Sequence, residues 1–133
     1  MTTTTYLPTI PELDLLGVYD RGIANKERIV LRVVSALDIG AYLIILGWRG
    51  KDSGQHVTPL PNSMYWFGSG SLQANDWLFL YTGQGTAEKM PPSDKHGNLF
   101  INYWGKDKTV FNSAEVVPVL WRMNGITIDR INP

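Results

Sequence analysis

The sequence predicts an all-β protein, a sandwich or barrel of short strands, and three observations carry that reading. Where the pattern is clearest, apolar residues alternate at period two. In "ERIVLRVV" (27–34), Ile29, Leu31 and Val33 fall on one face, and Arg28, Val30 and Arg32 on the other. Clusters of Gly, Asn and Asp separate short apolar runs. No window longer than about ten residues shows the i, i+3, i+4, i+7 spacing of a capped helix.

In chain order, the Thr- and Pro-rich residues 1–12 read as a flexible arm, because polar termini bury little. Residues 13–133 read as one domain, for which 133 residues in total suffice. "LDLLGVYD" (13–20) and "ERIVLRVV" are the first strands, joined by the turn cluster "RGIANK". After the break "SALDIG", "AYLIILGW" (41–48) is the next strand, and a long polar loop (49–63) follows it. "MYWF" (64–67) and "DWLFLYT" (76–82) are strands around the turn "SLQAN". A second long loop (83–98) centres on Pro91-Pro92. "LFINYW" (99–104) reads as strand or bulge. "TVFN" (109–112), "EVVPVLWR" (115–122) and "ITIDRI" (126–131) complete the series, with "MNG" as a hairpin turn. Pro118 lacks a ladder donor, so its strand should be an edge or carry a bulge.

Composition excludes several function classes. There is no cysteine, which removes thiol catalysis, zinc–cysteine sites and disulfides. A chain of this size can bury about two-thirds of its unfolded surface and needs no such staple. Twelve basic and twelve acidic residues give zero net charge without a stripe of either sign, which argues against nucleic acid. No apolar run approaches the ~20 residues of a membrane helix. The N-terminus lacks a charged segment followed by an apolar one, so the chain as written reads as cytoplasmic.

The Gly-x-Gly pairs Gly68/Gly70 and Gly83/Gly85 raise the question of phosphate binding. A dinucleotide loop needs a third glycine and a helix after it; the chain has Gln73 and Glu88 at those positions. Turns are therefore expected. His56 and His96 lie in separate loops, and Asp94 with His96 makes at most half a metal site, so no metal or cofactor is expected. No nucleophile elbow is present, and Glu12, Glu27, Glu88 and Glu115 show no pairing by spacing. Adjacent Tyr65, Trp66 and Phe67 cannot all face inward from one strand. Either Trp66 or the Tyr65/Phe67 pair must point out, and "NYW" (102–104) poses the same choice.

Taken in order, the blocks "ERIVLRV", "DIGAYLI", "YWFGSGSLQANDWLFLYTGQGTA", "MPPSD", "NYWG" and "VFNSAEVVPVL" resemble a lamin-tail domain across about residues 17–130. Departures are Tyr42 for a family tryptophan, Gly68 for a proline and Asn75 for a turn glycine. The resemblance implies an immunoglobulin-like antiparallel β-sandwich of about seven to nine strands. It implies a non-enzymatic module for contacts, with no catalytic residues. The expected contact surface is Tyr65, Trp66, Phe67, Tyr103, Trp104 and the edge around Pro118, with the two long loops. The expected partner is a protein or a second copy paired through an open strand edge. The alternative is a carbohydrate-binding module that stacks sugars on exposed aromatics.

Overall fold

A computed structural model describes residues 9–50 and 57–129 of the chain. Ten strands follow one another: β1 Leu13–Tyr19, β2 Arg28–Val33, β3 Leu37–Asp38, β4 Tyr42–Trp48, β5 Thr58–Trp66, β6 Ser71–Leu72, β7 Trp77–Tyr81, β8 Glu88–Met90, β9 Leu99–Tyr103 and β10 Val116–Arg122. They form a β-sandwich. One sheet has the order β1-β2-β7-β9-β8, the other β10-β4-β5, and β3 pairs with β6 in a two-residue ladder. Three short strands, β3, β6 and β8, bring the number above the expected seven to nine.

The core lies between the sheets. Ile29, Leu31 and Val33 of β2 and Leu78 and Leu80 of β7 meet Tyr42, Ile44 and Leu46 of β4, with Phe111 and Val116 closing one end. Period-two alternation on β2 thus places its apolar set inward. Val30 points the other way and is buried as well. Its cross-strand neighbours are Gly17 and Phe79, and the Arg28 guanidinium stands 5.2 Å from the Phe79 ring centre.

One pairing departs from the antiparallel expectation. β7 and β9 run parallel, in register from Trp77↔Leu99 to Tyr81↔Tyr103. A parallel neighbour requires the chain to return to the starting end, and residues 82–98 are that return. The second long loop is therefore a crossover, and it contributes β8 on the way. Asp76, buried where β7 begins, accepts from the N–H groups of Gln73 at 2.8 Å and Asn98 at 2.9 Å, so one carboxylate pins the starts of both parallel strands.

Three further expectations are corrected. The loop 49–63 gives way to β5 at Thr58, while 51–56 lie outside the described residues. Opposite Leu46, β5 bulges through residues 60–63, and Ser63 Oγ bonds back to the Leu46 carbonyl at 3.1 Å. "TVFN" is not a strand: the Thr109 hydroxyl donates to Asn112 Oδ1 at 2.8 Å and Asn112 Nδ2 to the Thr109 carbonyl at 3.1 Å, so local side-chain bonds win over a ladder. Residues 126–129 form no strand either, and 130–131 lie outside the described residues. β4 is preceded by a 3-10 turn at Ile39–Ala41, so beyond Arg122 the chain has no strand to pair with.

A buried carboxylate ties the end of the sandwich together. Glu27 Oε1 accepts from the backbone N–H of Gly22 at 3.0 Å and of Phe111 at 3.3 Å. Its Oε2 accepts from the Val110 N–H at 2.8 Å and the Thr82 hydroxyl at 2.5 Å. Three loops are thereby fastened to one side chain. Each buried donor left without a partner costs about 1–3 kcal/mol. Glu27→Ala should therefore lower unfolding free energy by at least about 3 kcal/mol in urea titration; a loss under about 1 kcal/mol would show that water substitutes for the carboxylate.

Candidate interaction surface

In the first glycine loop an amide is already engaged by the chain itself. Gly68 takes a left-handed φ of 78°, and Asn75, at the position of a turn glycine, takes 71°. The Gly70 N–H donates to Asp38 Oδ1 at 3.1 Å, and the Gly40 N–H to the same oxygen at 2.8 Å. These two bonds hold the Asp38 carboxyl below its usual range. The anion at this Gly-x-Gly is thus the chain's own carboxylate. In the second pair, a Cβ on Gly85 would come within 2.5 Å of the Tyr103 ring, so this glycine permits close packing.

Ligand-bearing chemistry does not converge. His96 Nδ1 is 2.6 Å from the Gly97 carbonyl oxygen, and His56 lies outside the described residues. Among the described residues no three His, Cys, Asp or Glu side chains gather. Two open clefts, one beside Gly83 and Lys106 and one beside Gly40 and Met123, measure about 240 and 250 Å³. Ligand pockets usually start at about 300 Å³.

The six expected contact residues fall into four places. Tyr65, Phe67 and Trp104 turn inward as a half-buried aromatic cluster, with Tyr65 5.1 Å from Phe67 and 5.5 Å from Trp104 between ring centres. Burial raises the Tyr65 pKa above its ordinary value. Tyr103 lies on the outer face of the five-stranded sheet, stacked on Tyr81 at 5.3 Å. Pro118 sits on the edge strand β10, as its missing donor requires, opposite the core residue Leu46. Trp66 alone of the six stands on the outer face of the three-stranded sheet.

That outer face is the notable surface. Residues directly opposite in an antiparallel pair share a face, so the register defines three rows. The first is Trp121, Leu43 and Trp66; the second Val119, Ile45 and Met64; the third Val117, Gly47 and Pro59. No position in the three rows carries a charged or polar side chain apart from the indole N–H groups. Trp66 is 42% exposed, Trp121 51% and Met64 62%, whereas Leu43 is 7% exposed, sunk between the two indoles. Trp66 Nε1 donates to the Gly40 carbonyl at 2.8 Å, which fixes that ring. At the other end, Val57 stands over Gly47, where an added Cβ would lie 2.0 Å from Val57 Cγ1. Trp121 and Met64 were not singled out from the sequence. The available signal was that the segments 42–48 and 116–121 are apolar on both faces, where a half-exposed antiparallel sheet alternates.

One end of the face is closed by a bonded triad. The Tyr42 hydroxyl donates to Glu12 Oε2, and Arg122 Nη1 donates to Glu12 Oε1 at 3.0 Å and Oε2 at 2.7 Å. Glu12, placed in the arm by sequence, is thereby fastened to β4 and β10. Burial, and then the bond to Glu12, pushes the Tyr42 phenol up to about 12. The Tyr42 bond, with Arg122 beside it, lowers Glu12. Tyr42 is raised, so its contribution to stability is present below pH 10 and lost as pH rises towards 12. Glu12 is lowered, so its contribution is present above pH 4.5 and lost on acidification. Ultraviolet tyrosinate titration should show one step near 12 that Tyr42→Phe removes, with about 1 kcal/mol of stability. An unchanged titration in the variant would refute the triad.

No family model, curated protein or solved structure matches the chain.

Proposed function

We propose that this chain is a non-enzymatic interaction module, an immunoglobulin-like sandwich of the lamin-tail kind, that binds a protein through the outer face of β10-β4-β5. The observation that carries this reading is the face itself: three adjacent strands whose outward positions are all apolar, with two tryptophans and a methionine standing exposed on them. Monomeric proteins rarely expose contiguous apolar area above a few hundred Å², and larger patches mark interaction sites. Aromatic side chains and Met are enriched where proteins meet. The lamin-tail resemblance supports the same role, because that family supplies contacts rather than catalysis.

The carbohydrate reading fits this face less well. Sugar hydroxyls need hydrogen-bonding groups around the stacking ring, and here the Trp66 N–H is already donated to Gly40. The face offers aliphatic neighbours instead.

The test uses wild type, Met64→Asp and Lys108→Asp as paired baits. Position 64 is highly exposed, so the substitution spares the core. Protein capture, including capture of this chain by itself, should be lost with Met64→Asp and retained with Lys108→Asp. Capture indifferent to position 64, or tryptophan emission that responds to an oligosaccharide panel, would overturn the reading.

A further inference from the structure

We propose that the occupant of this face is a second copy of the same chain, packed face to face about a two-fold axis that runs across the strands through the middle row. This inference rests on the reading above that the face is a protein-binding surface, and it names the partner.

The shape of the face argues for it. At the first row the surface is hollow, with Leu43 between the two indoles, whose strands lie about 9.6 Å apart. At the third row it is raised, because Val57 covers Gly47. A two-fold axis through the second row sets the first row of one copy against the third row of the other. Val57 then enters the socket formed by Trp66, Leu43 and Trp121 of its mate, twice over. The second row meets itself, so Met64 faces Met64. An isologous contact of this kind closes after two copies.

Charge and area agree. The face carries no charge to repel its own copy. At one end the charges of Glu12 and Arg122 neutralise each other in an ion pair of 2.7 Å. With about 150–250 Å² for a whole aromatic side chain, the exposed parts of Trp66, Trp121 and Met64 and their aliphatic neighbours offer on the order of 500 Å² per copy. Two copies bury about 1,000 Å², the lower bound for a specific interface. The dimer is therefore weak and reversible.

The sheet edges make strand-to-strand pairing the poorer alternative. β10 carries Pro118, and β5 carries Pro59 and Pro61. β8 has three residues and runs into Pro91-Pro92. β1 is bulged between Leu15 and Gly17. Prolines, bulges and short edge strands are the devices that refuse an added strand.

The experiment is sedimentation equilibrium of the full chain over a concentration series, with Met64→Asp, Met64→Lys and their equimolar mixture. Wild type should pass from monomer to dimer with a midpoint on the order of 10–100 μM. Each single variant should stay monomeric, because it sets like charges against each other at the axis, and the mixture should regain a dimer. A monomer at every wild-type concentration would overturn the second copy as occupant, while leaving the protein-capture test of the face to stand or fall separately. A wild-type dimer that both variants preserve, or a mixture that fails to associate, would overturn this packing.

Discussion

β4 is apolar on both faces, and much of the architecture follows from having to cover it. Inward, Tyr42, Ile44 and Leu46 meet the five-stranded sheet across the core. Outward, Leu43 and Ile45 have no second layer among the described residues, and cover comes from the sides: Trp66 and Met64 on β5, Trp121 and Val119 on β10. This lateral solution buries Leu43 to 7% exposure but leaves the covering indoles half in water. Apolar area left in water retains about 25 cal/mol per Å² of unrealised transfer free energy. A partner that covers the rings recovers it.

The polar groups serve a different end. Among the described residues, Glu27, Asp76, Asp38 and Glu12 are the carboxylates with the most internal bonds, and each is engaged with the chain's own donors. Three of them accept from backbone N–H groups of loops, which a buried or tightly turned chain must satisfy somehow. Glu12 joins the start of β1 to the far end of β10 through Arg122. The sandwich is therefore closed at its ends by carboxylates and in its middle by aliphatic packing.

The fold was legible wherever local pattern and tertiary demand coincide. β2 alternates because one face meets the core, and Pro118 announced an edge strand because proline cannot donate. Asn75 stands where the resemblance has a turn glycine, and asparagine tolerates the left-handed φ of 71° found there. What escaped was non-local. Nothing within residues 82–98 says that β9 will lie parallel to β7. The Glu27 network joins residues more than eighty positions apart. That either Trp66 or the Tyr65/Phe67 pair faces out could be deduced, because three adjacent aromatics cannot share a face. Trp121 could not be placed, since "VVPVLW" is apolar at every position and its period is silent on which side is wet. Only the register that sets Trp121 opposite Leu43, and Leu43 opposite Trp66, unites the two indoles.

An apolar sheet face with open edges would be a hazard, because a face and an edge on one molecule permit contacts that never close. Here the two features are separated. Prolines interrupt both edges of the three-stranded sheet, while the outward rows between them stay apolar. A proline on an edge strand turns its missing donor to solvent, spares the inner ladder and refuses an added strand. Such prolines make sense as partners of the exposed face: with the edges refused, the proposed association would be confined to a surface that a single two-fold contact can saturate. The same residues that weaken the sheet as a template therefore sharpen it as an interface.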